Sequence, residues 1–516
     1  MCLALGAALL TSASPSAATV VDKPVTKGLG RGAIYQAPLT RHSCLVVDPE
    51  ARLGRQRCTE VQELNRVDIT VRPQAAPDSR ALYIADQAGV LVLRRDAGGV
   101  LAFDSCAPLT GDCGEDSADG TRVSEVVPGP GGHQLYVVIE RSRDGGTEIH
   151  AMGIGANDRL TPDPSCLLLI APQQYSEVAN PRNCRVDPGA ERVGGYGLTF
   201  TPNGRFGYLM SSSAQSASGI LELGRAGDGS LSVLPGCVSG TGDRGFDQPH
   251  VCETILPQAQ SGGQILNLEQ LTATPDSSGL VVRGNDTYVD HIGGFLARFT
   301  IGADGRLTRN VVATGCVNAT GNNGCSRSTA LLGDMSSIAV VGSRVYVGTS
   351  KLVNPVLGIF NSNVLAYLLG ADGGLSLPAG AAGCVGNVTQ PFRRVKKLGS
   401  CSLGREAMRH PLTLLAGPRG DTLHVVGHID GNGLGIGLMK LGGAGVATSV
   451  KGPTGCLLGG TIGTIEKTPC NHPFAAGTIT NADSTLTLTP DGRSAYVLDQ
   501  VPATDFARLN LLQRRP

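Results

Sequence analysis

Fourteen of the fifteen cysteines fall into seven pairs, Cys44/Cys58, Cys106/Cys113, Cys166/Cys184, Cys237/Cys252, Cys316/Cys325, Cys384/Cys401 and Cys456/Cys470, each at the same point of a recurring unit. The first cysteines of successive pairs stand 62, 60, 71, 79, 68 and 72 residues apart. A fixed period of this order marks a repeat architecture, in which each unit buries its apolar face against its neighbours. The 516 residues therefore read as one closed object of seven units rather than as several independent domains.

Each unit has the same internal grammar. A first strand ends in a Pro/Asp/Asn/Gly turn, as in "GLTFTPNG", "QLTATPDSS" and "TLTLTPDG". A second, apolar strand follows at once, as in "ALYIAD", "QLYVVIE", "RVYVGTS" and "AYVLDQ". Third and fourth strands flank a Gly/Asp turn, as in "GILELGRAGDGSLSVLPG" and "FLARFTIGADGRLTRNVV", and the cysteine pair comes after them. Four short antiparallel strands repeated radially predict an all-β fold, a seven-bladed β-propeller. The content of 72 Gly and 30 Pro, with charged residues at 17%, fits many strands joined by tight turns.

The seventh unit has only three strands before the chain stops at Pro516. "APLTRHSC" matches "GRLTRNVVATGC", with Leu39-Thr40-Arg41 against Leu307-Thr308-Arg309. The segment from about residue 28 to 44 is thus expected to complete the last blade and remove an exposed sheet edge.

Paired cysteines at a repeated position argue for disulfides between sequence neighbours and for an oxidising compartment, although spacing alone does not settle connectivity. Each bridge would close a loop of about 8 to 19 residues, worth roughly 2 to 3 kcal/mol. Redox or zinc thiols are the weaker reading, because no C-x2-C spacing occurs. The apolar run Leu3 to Leu10, followed by Ser16-Ala17-Ala18, reads as a signal peptide over residues 1–18, with residues 19–516 as the propeller and Cys2 leaving with the leader. Export is expected, and 35 Arg against 8 Lys suggests a bacterial source. No apolar stretch is long enough to span a membrane. Acidic and basic residues balance at 43 each, so nothing points to nucleic acid. A monomer that meets a small molecule or an extracellular protein or glycan is expected.

The segments "LPGCVSGTGDRGFDQPHVC", "ATGCVNATGNNGC" and "AAGCVGNVTQPFRRVKKLGSC", with "TPDG" or its variants opening the next hairpin, resemble the lactonase-like β-propeller family, in particular its secreted bacterial members with cysteine-paired repeats. The resemblance spans about residues 28 to 516 and implies the propeller fold. It implies function only coarsely, since some members are named lactonases while others of this shape act as binding surfaces.

In a propeller the first strands line a central channel, and the loops leading into them open on its mouth. The mouth set read from the repeat holds Glu125, Glu269 and His410 as candidate bases, with Arg66 and Arg409 to stabilise developing negative charge. Asp68, Tyr196, Gln270 and Asp483 are candidate ligand contacts in the same ring. No cofactor is required, but Asp290 with His291, and His428 with Asp430, in loops after second strands, pair the donor types that suit a divalent ion. Asp and Gly also build turns without any metal. Two functions follow: a ligand- or partner-binding scaffold acting through the channel mouth, or a lactonase using a Glu or His base.

Overall fold

The computed structural model describes residues 35–36, 44–46, 59–62, 64, 67, 71–110, 112–113, 120–141, 146–170, 180, 182–187, 194–213, 216–239, 253–255, 266–286, 293–310, 312–321, 324–331, 334–354, 359–388, 401–404, 410–429, 433–451, 455–458, 485–500 and 507–514. Among these residues the regular structure is strand, with a few short 3-10 turns and no α-helix. Among the described residues no helix is long and apolar enough to cross a membrane.

Seven mainly antiparallel sheets stand in a ring, a seven-bladed β-propeller. The inner strands, blade 1 to blade 7, are Gln74–Ala75, Thr121–Pro128, Gly194–Phe200, Leu266–Ala273, Asp334–Val341, Pro411–Ala416 and Thr485–Leu488. Each touches the next, and the last touches the first. The core is divided accordingly, because every apolar cluster that builds the ring is shared by two adjacent blades. Leu498 packs with Leu82 between blades 7 and 1, Val92 with Val137 between 1 and 2, and Val138 with Leu209 between 2 and 3. Tyr208 packs with Val282, Val281 with Val347, Tyr346 with Val425, and Val426 with Val497 around the remaining interfaces. Both faces of each blade are thus covered by neighbours. This explains why second strands such as Gln134–Arg141 read as unbroken apolar runs rather than alternating ones.

The repeated turn residues have specific tasks. In the first hairpins the buried hydroxyls of Thr201, Thr274 and Thr489 meet the side chains of Asn203, Asp276 and Asp491 at 2.7, 2.6 and 2.5 Å. Each of these threonines also donates across the turn to a backbone carbonyl. The turns between third and fourth strands place Gly99, Asp158, Gly229, Gly305 and Gly445 at positive φ, a region that glycine enters without penalty. The carbonyl at that residue is held out towards the preceding blade, where a buried second-strand tyrosine donates to it. Tyr496 reaches Gly99 at 2.8 Å, Tyr136 reaches Gly229 at 2.7 Å and Tyr208 reaches Gly305 at 2.9 Å. Tyr346 binds the Gly445 carbonyl, and Tyr83 makes a long contact of 3.4 Å with Asp158. Blade 4 carries Val281 and blade 6 His424 where the other five carry tyrosine, and in blade 4 Arg298 donates instead to Gly370 of the next turn at 2.7 Å.

The ring closes through the N-terminal segment. Cys44–Val46 pairs antiparallel with the C-terminal strand Ala507–Arg514, with Leu45 opposite Leu509. Tyr35–Gln36 pairs with the same strand at Arg514 and Gln513. Leu39-Thr40-Arg41, which suggested this closure, lies outside the described residues. Tyr35 holds the place of Leu307, each nine residues before the cysteine of its unit.

The cysteine segment contains an element that was not expected. Arg185–Asp187, Glu253–Thr254, Ser326–Arg327, Ser402–Leu403 and Thr59–Glu60 each lie parallel to the outer strand of a blade, as a short fifth strand. In all five the residue after the first cysteine is opposite the residue after the second, as Leu167 is opposite Arg185. Disulfides join Cys106–Cys113, Cys166–Cys184, Cys316–Cys325 and Cys384–Cys401, the sequence-neighbour pairing. Cys44, Cys237 and Cys456 are also disulfide-bonded, while Cys58, Cys252 and Cys470 lie outside the described residues.

If the tyrosine bonds hold blade to blade, Tyr496→Phe should lower stability by about 1 to 2 kcal/mol, since it strands the buried Gly99 carbonyl at the closing interface. Tyr83→Phe, which loses only a long contact, should cost markedly less. Urea unfolding of both variants beside the parent measures the difference.

Candidate functional site

The inner strands share an irregularity. A β-bulge interrupts the pairing between Val123 and Glu125, Tyr196 and Thr199, Leu268 and Gln270, Met335 and Ser337, and Pro411 and Thr413. A bulge bends the strand and re-aims its side chains. Here it directs several polar residues of the expected mouth set across to the next blade.

Glu125 is half-buried in the inner strand of blade 2, and its Oε2 accepts the N–H of Leu198 in blade 3 at 2.7 Å. Gln270 makes the same brace with both ends of its amide. Its Oε1 accepts from the Ile338 N–H at 2.7 Å, and its Nε2 donates to the Ile338 carbonyl at 2.9 Å. Ser337 accepts from the Leu414 N–H at 3.1 Å, and Thr487 of blade 7 donates to the Pro73 carbonyl of blade 1. Tyr196 donates to the Leu268 carbonyl at 2.7 Å. Three of the residues singled out as site candidates, Glu125, Tyr196 and Gln270, therefore bind backbone of the neighbouring blade.

Burial pushes the Glu125 carboxyl up to about 7, against the opposing pull of the Leu198 N–H, the Arg72 charge and the Gly197 N–H. Glu269 is part-exposed and forms an ion pair with the buried Arg283, which also donates to the Met335 carbonyl. Asn285 donates to the same carboxylate. His410 is half-buried, its Nδ1 lies 3.0 Å from the Ser350 hydroxyl, and its N–H donates to Ser362 at 3.1 Å. Its φ of 39° is left-handed, an uncommon conformation for a residue other than glycine and doubly so before Pro411.

Arg66, Asp68, Arg409, Asp483, Asp290, His291 and Asp430 lie outside the described residues, as does the side chain of His428, whose backbone belongs to the strand Thr422–Ile429. Arg283 was missed by sequence reasoning. Its signal was a charge at the place where the other second strands carry Ala85, Val138, Met210, Gly348, Val426 and Leu498.

A second cluster, also missed, lies at the outer end of blade 2. Glu148 is fully buried and is met by Arg141 at 2.6 Å, Arg182 at 2.9 Å and His150 at 2.9 Å. Burial alone would raise its carboxyl, but the hydrogen bond from His150, the Arg182 charge and the bond from Arg141 outweigh this and hold it below the usual carboxylate range. His150, Cys166 and Cys184 bring a ring nitrogen and two sulfurs within 4.8 Å of one another. Both sulfurs are spent in one disulfide, so the group lacks the thiolates that a metal centre of this kind needs.

No family model matches the chain, and no curated protein matches it in sequence. Among solved structures it is similar to a 6-phosphogluconolactonase candidate from Bacteroides uniformis, at 13% identity and TM-score 0.41, covering 76% of this chain and 88% of that one. A second candidate of the same name from Bacteroides fragilis gives 17% identity and TM-score 0.37 over 82% and 89% of the two chains. Kuenenia stuttgartiensis hydrazine synthase gives 12% identity and TM-score 0.45 over 87% and 96%. Likeness at this level says nothing of what this chain binds or converts.

Two titrations follow from the carboxyls. With a native pKa of about 7 against an ordinary 4.5, Glu125 leaves the folded state holding more protons than the unfolded one between those values, so stability falls as pH rises through that window. Glu125→Gln keeps an acceptor for Leu198 and removes the charge. Its stability relative to the parent should therefore rise from pH 4 to pH 8 in paired denaturant titrations. Glu148 has the opposite sign, being stabilising above the ordinary carboxylate range. Glu148→Gln, which removes the buried carboxylate that pairs with Arg141 and Arg182, should cost about 3 kcal/mol at pH 7.

Proposed function

We propose that this chain is a secreted ligand-binding propeller whose channel-mouth face carries the binding surface. The observation behind this reading is the state of the described mouth side chains, which are already bonded within the scaffold. Glu125 and Gln270 brace blades, Glu269 is paired with Arg283, and His410 is held by Ser350 and Ser362. Such a ring is a rigid wall on which loops can be displayed. Disulfides in every blade fit an oxidising compartment outside the cytoplasm. The partner is a small molecule or an extracellular protein or glycan.

The second reading, hydrolysis of a cyclic ester, is favoured by one observation. Glu125 titrates near neutrality and feels the charge of Arg72, the setting in which a carboxylate works as a general base while a guanidinium stabilises an oxyanion. The two readings separate on one experiment: hydrolysis of sugar, aryl and acyl-homoserine lactones by the oxidised protein, beside Glu125→Gln, Glu269→Gln and His410→Ala. A scaffold gives no turnover with any lactone, with or without added divalent metal. Turnover that collapses in a folded Glu125→Gln variant would establish the enzyme and reject the scaffold.

A further inference from the structure

The channel has a second end, where the hairpin turns of the inner strands converge, and its chemistry differs from that of the mouth. A cavity of about 570 Å³ lies there between blades 6, 7, 1 and 2. Its walls carry Leu415, Leu486, Leu488 and Pro128 on the inner strands and Pro77 and Pro490 on the turns, with Gln74 and Thr487 among them. Glycines widen it, and a Cβ on Gly131 would meet no atom within 4 Å.

A single charged residue, Arg72, lines this space. It stands just before the two-residue inner strand of blade 1, Gln74–Ala75, where Pro73 lends its carbonyl to Thr487. Arg72 is ringed by the channel walls and still open to solvent. Among the described residues no carboxylate is within ion-pair distance of it, and Glu125, the acid whose charge it feels, is already held by Leu198. A guanidinium without a partner, at the edge of an aliphatic cavity of the size that small-molecule sites have, is complementary to one kind of ligand.

We propose that the turn-side end of the channel binds a small carboxylic acid with an apolar body, its carboxylate on Arg72 and its hydrocarbon against Leu415, Leu486 and Leu488. The carboxylate takes the charge-assisted, two-pronged contact that guanidinium geometry favours, and the chain displaces water from the leucine and proline walls. Arg72 is also the guanidinium whose charge Glu125 feels, but decanoate binding is read without turnover, so failure of this titration and failure of the lactone assay are distinguishable.

Decanoate, with decanol as its uncharged counterpart, tests the proposal by calorimetric titration of the oxidised full chain below micelle-forming concentrations. The parent should bind decanoate at least about tenfold more tightly than decanol, the size expected of one charge-assisted contact. Arg72→Gln should bring decanoate down to the level of decanol and leave decanol unchanged. Ala416→Phe, at an exposed position in the cavity wall, adds a ring without removing a contact and should weaken both ligands at least about tenfold. Thermal unfolding at the parent temperature confirms that both variants fold. No decanoate binding to the parent, equal binding to Arg72→Gln, or unchanged binding to Ala416→Phe would each overturn the proposal.

Discussion

The contact on which the rest of this molecule depends is the one between blades. A four-stranded sheet with two apolar faces cannot hide either of them alone, so each blade is stable only between two others. The apolar clusters show this directly, since each draws on two adjacent sheets. Apolar packing by itself would tolerate sliding of one blade over the next. The buried tyrosines prevent it, because each must find a particular carbonyl, and that carbonyl is presented by a turn residue in a left-handed conformation. The glycines of the third-to-fourth-strand turns and the tyrosines of the second strands are therefore two halves of one device. Where blade 4 lacks the tyrosine, Arg298 supplies a donor to the neighbouring turn.

Inner strands raise a further difficulty. As sheet edges facing a channel, they present backbone N–H groups that no strand satisfies. Side chains from the preceding blade meet this need at Leu198, Ile338 and Leu414, through a carboxylate, an amide and a hydroxyl respectively. Glu222 does the same further out, accepting the Leu307 N–H at 2.7 Å across the interface of blades 3 and 4 while fully buried, and burial pushes its carboxyl up to about 7. A buried carboxyl can thus serve backbone satisfaction and still titrate high, because burial raises it against the pull of the N–H it accepts. Gln270 shows that an uncharged amide fills the role with two hydrogen bonds where Glu125 is seen to make one with Leu198.

This explains which features were legible in the chain and which were not. The blade count, the closure by the N-terminal segment and the neighbour pairing of cysteines follow from periodicity, which survives weak conservation of any one position. The fifth strands escaped because two or three residues carry no alternation, and their parallel placement is imposed by the adjacent disulfide rather than by their own sequence. Glu125, Gln270 and Tyr196, singled out as a candidate base and candidate ligand contacts, do stand on inner strands. Their partners are backbone groups one blade away, to which residue type gives no clue. Glu148 was invisible for the same reason, since its partners Arg141 and Arg182 flank it at unequal distances along the chain and converge only when the blade folds.

The two ends of the channel are consequently unlike for a structural reason. Bulges and braces occupy the mouth end of the inner strands, so polar groups accumulate there to serve the scaffold. The turn end has no such demand: strands leave it through tight hairpins whose Thr, Asp and Asn side chains satisfy one another locally. Residues lining the channel at that end are free to be aliphatic, and between blades 6 and 2 Leu415, Leu486 and Leu488 line it beside Gln74 and Thr487. A charged residue there is not required to hold the blades together, since the ring closes through Thr487 and the Pro73 backbone beside it. Arg72 offsets the charge of Glu125 from a distance but is bound by no described side chain, and a guanidinium in that state is where ligand chemistry has room to act.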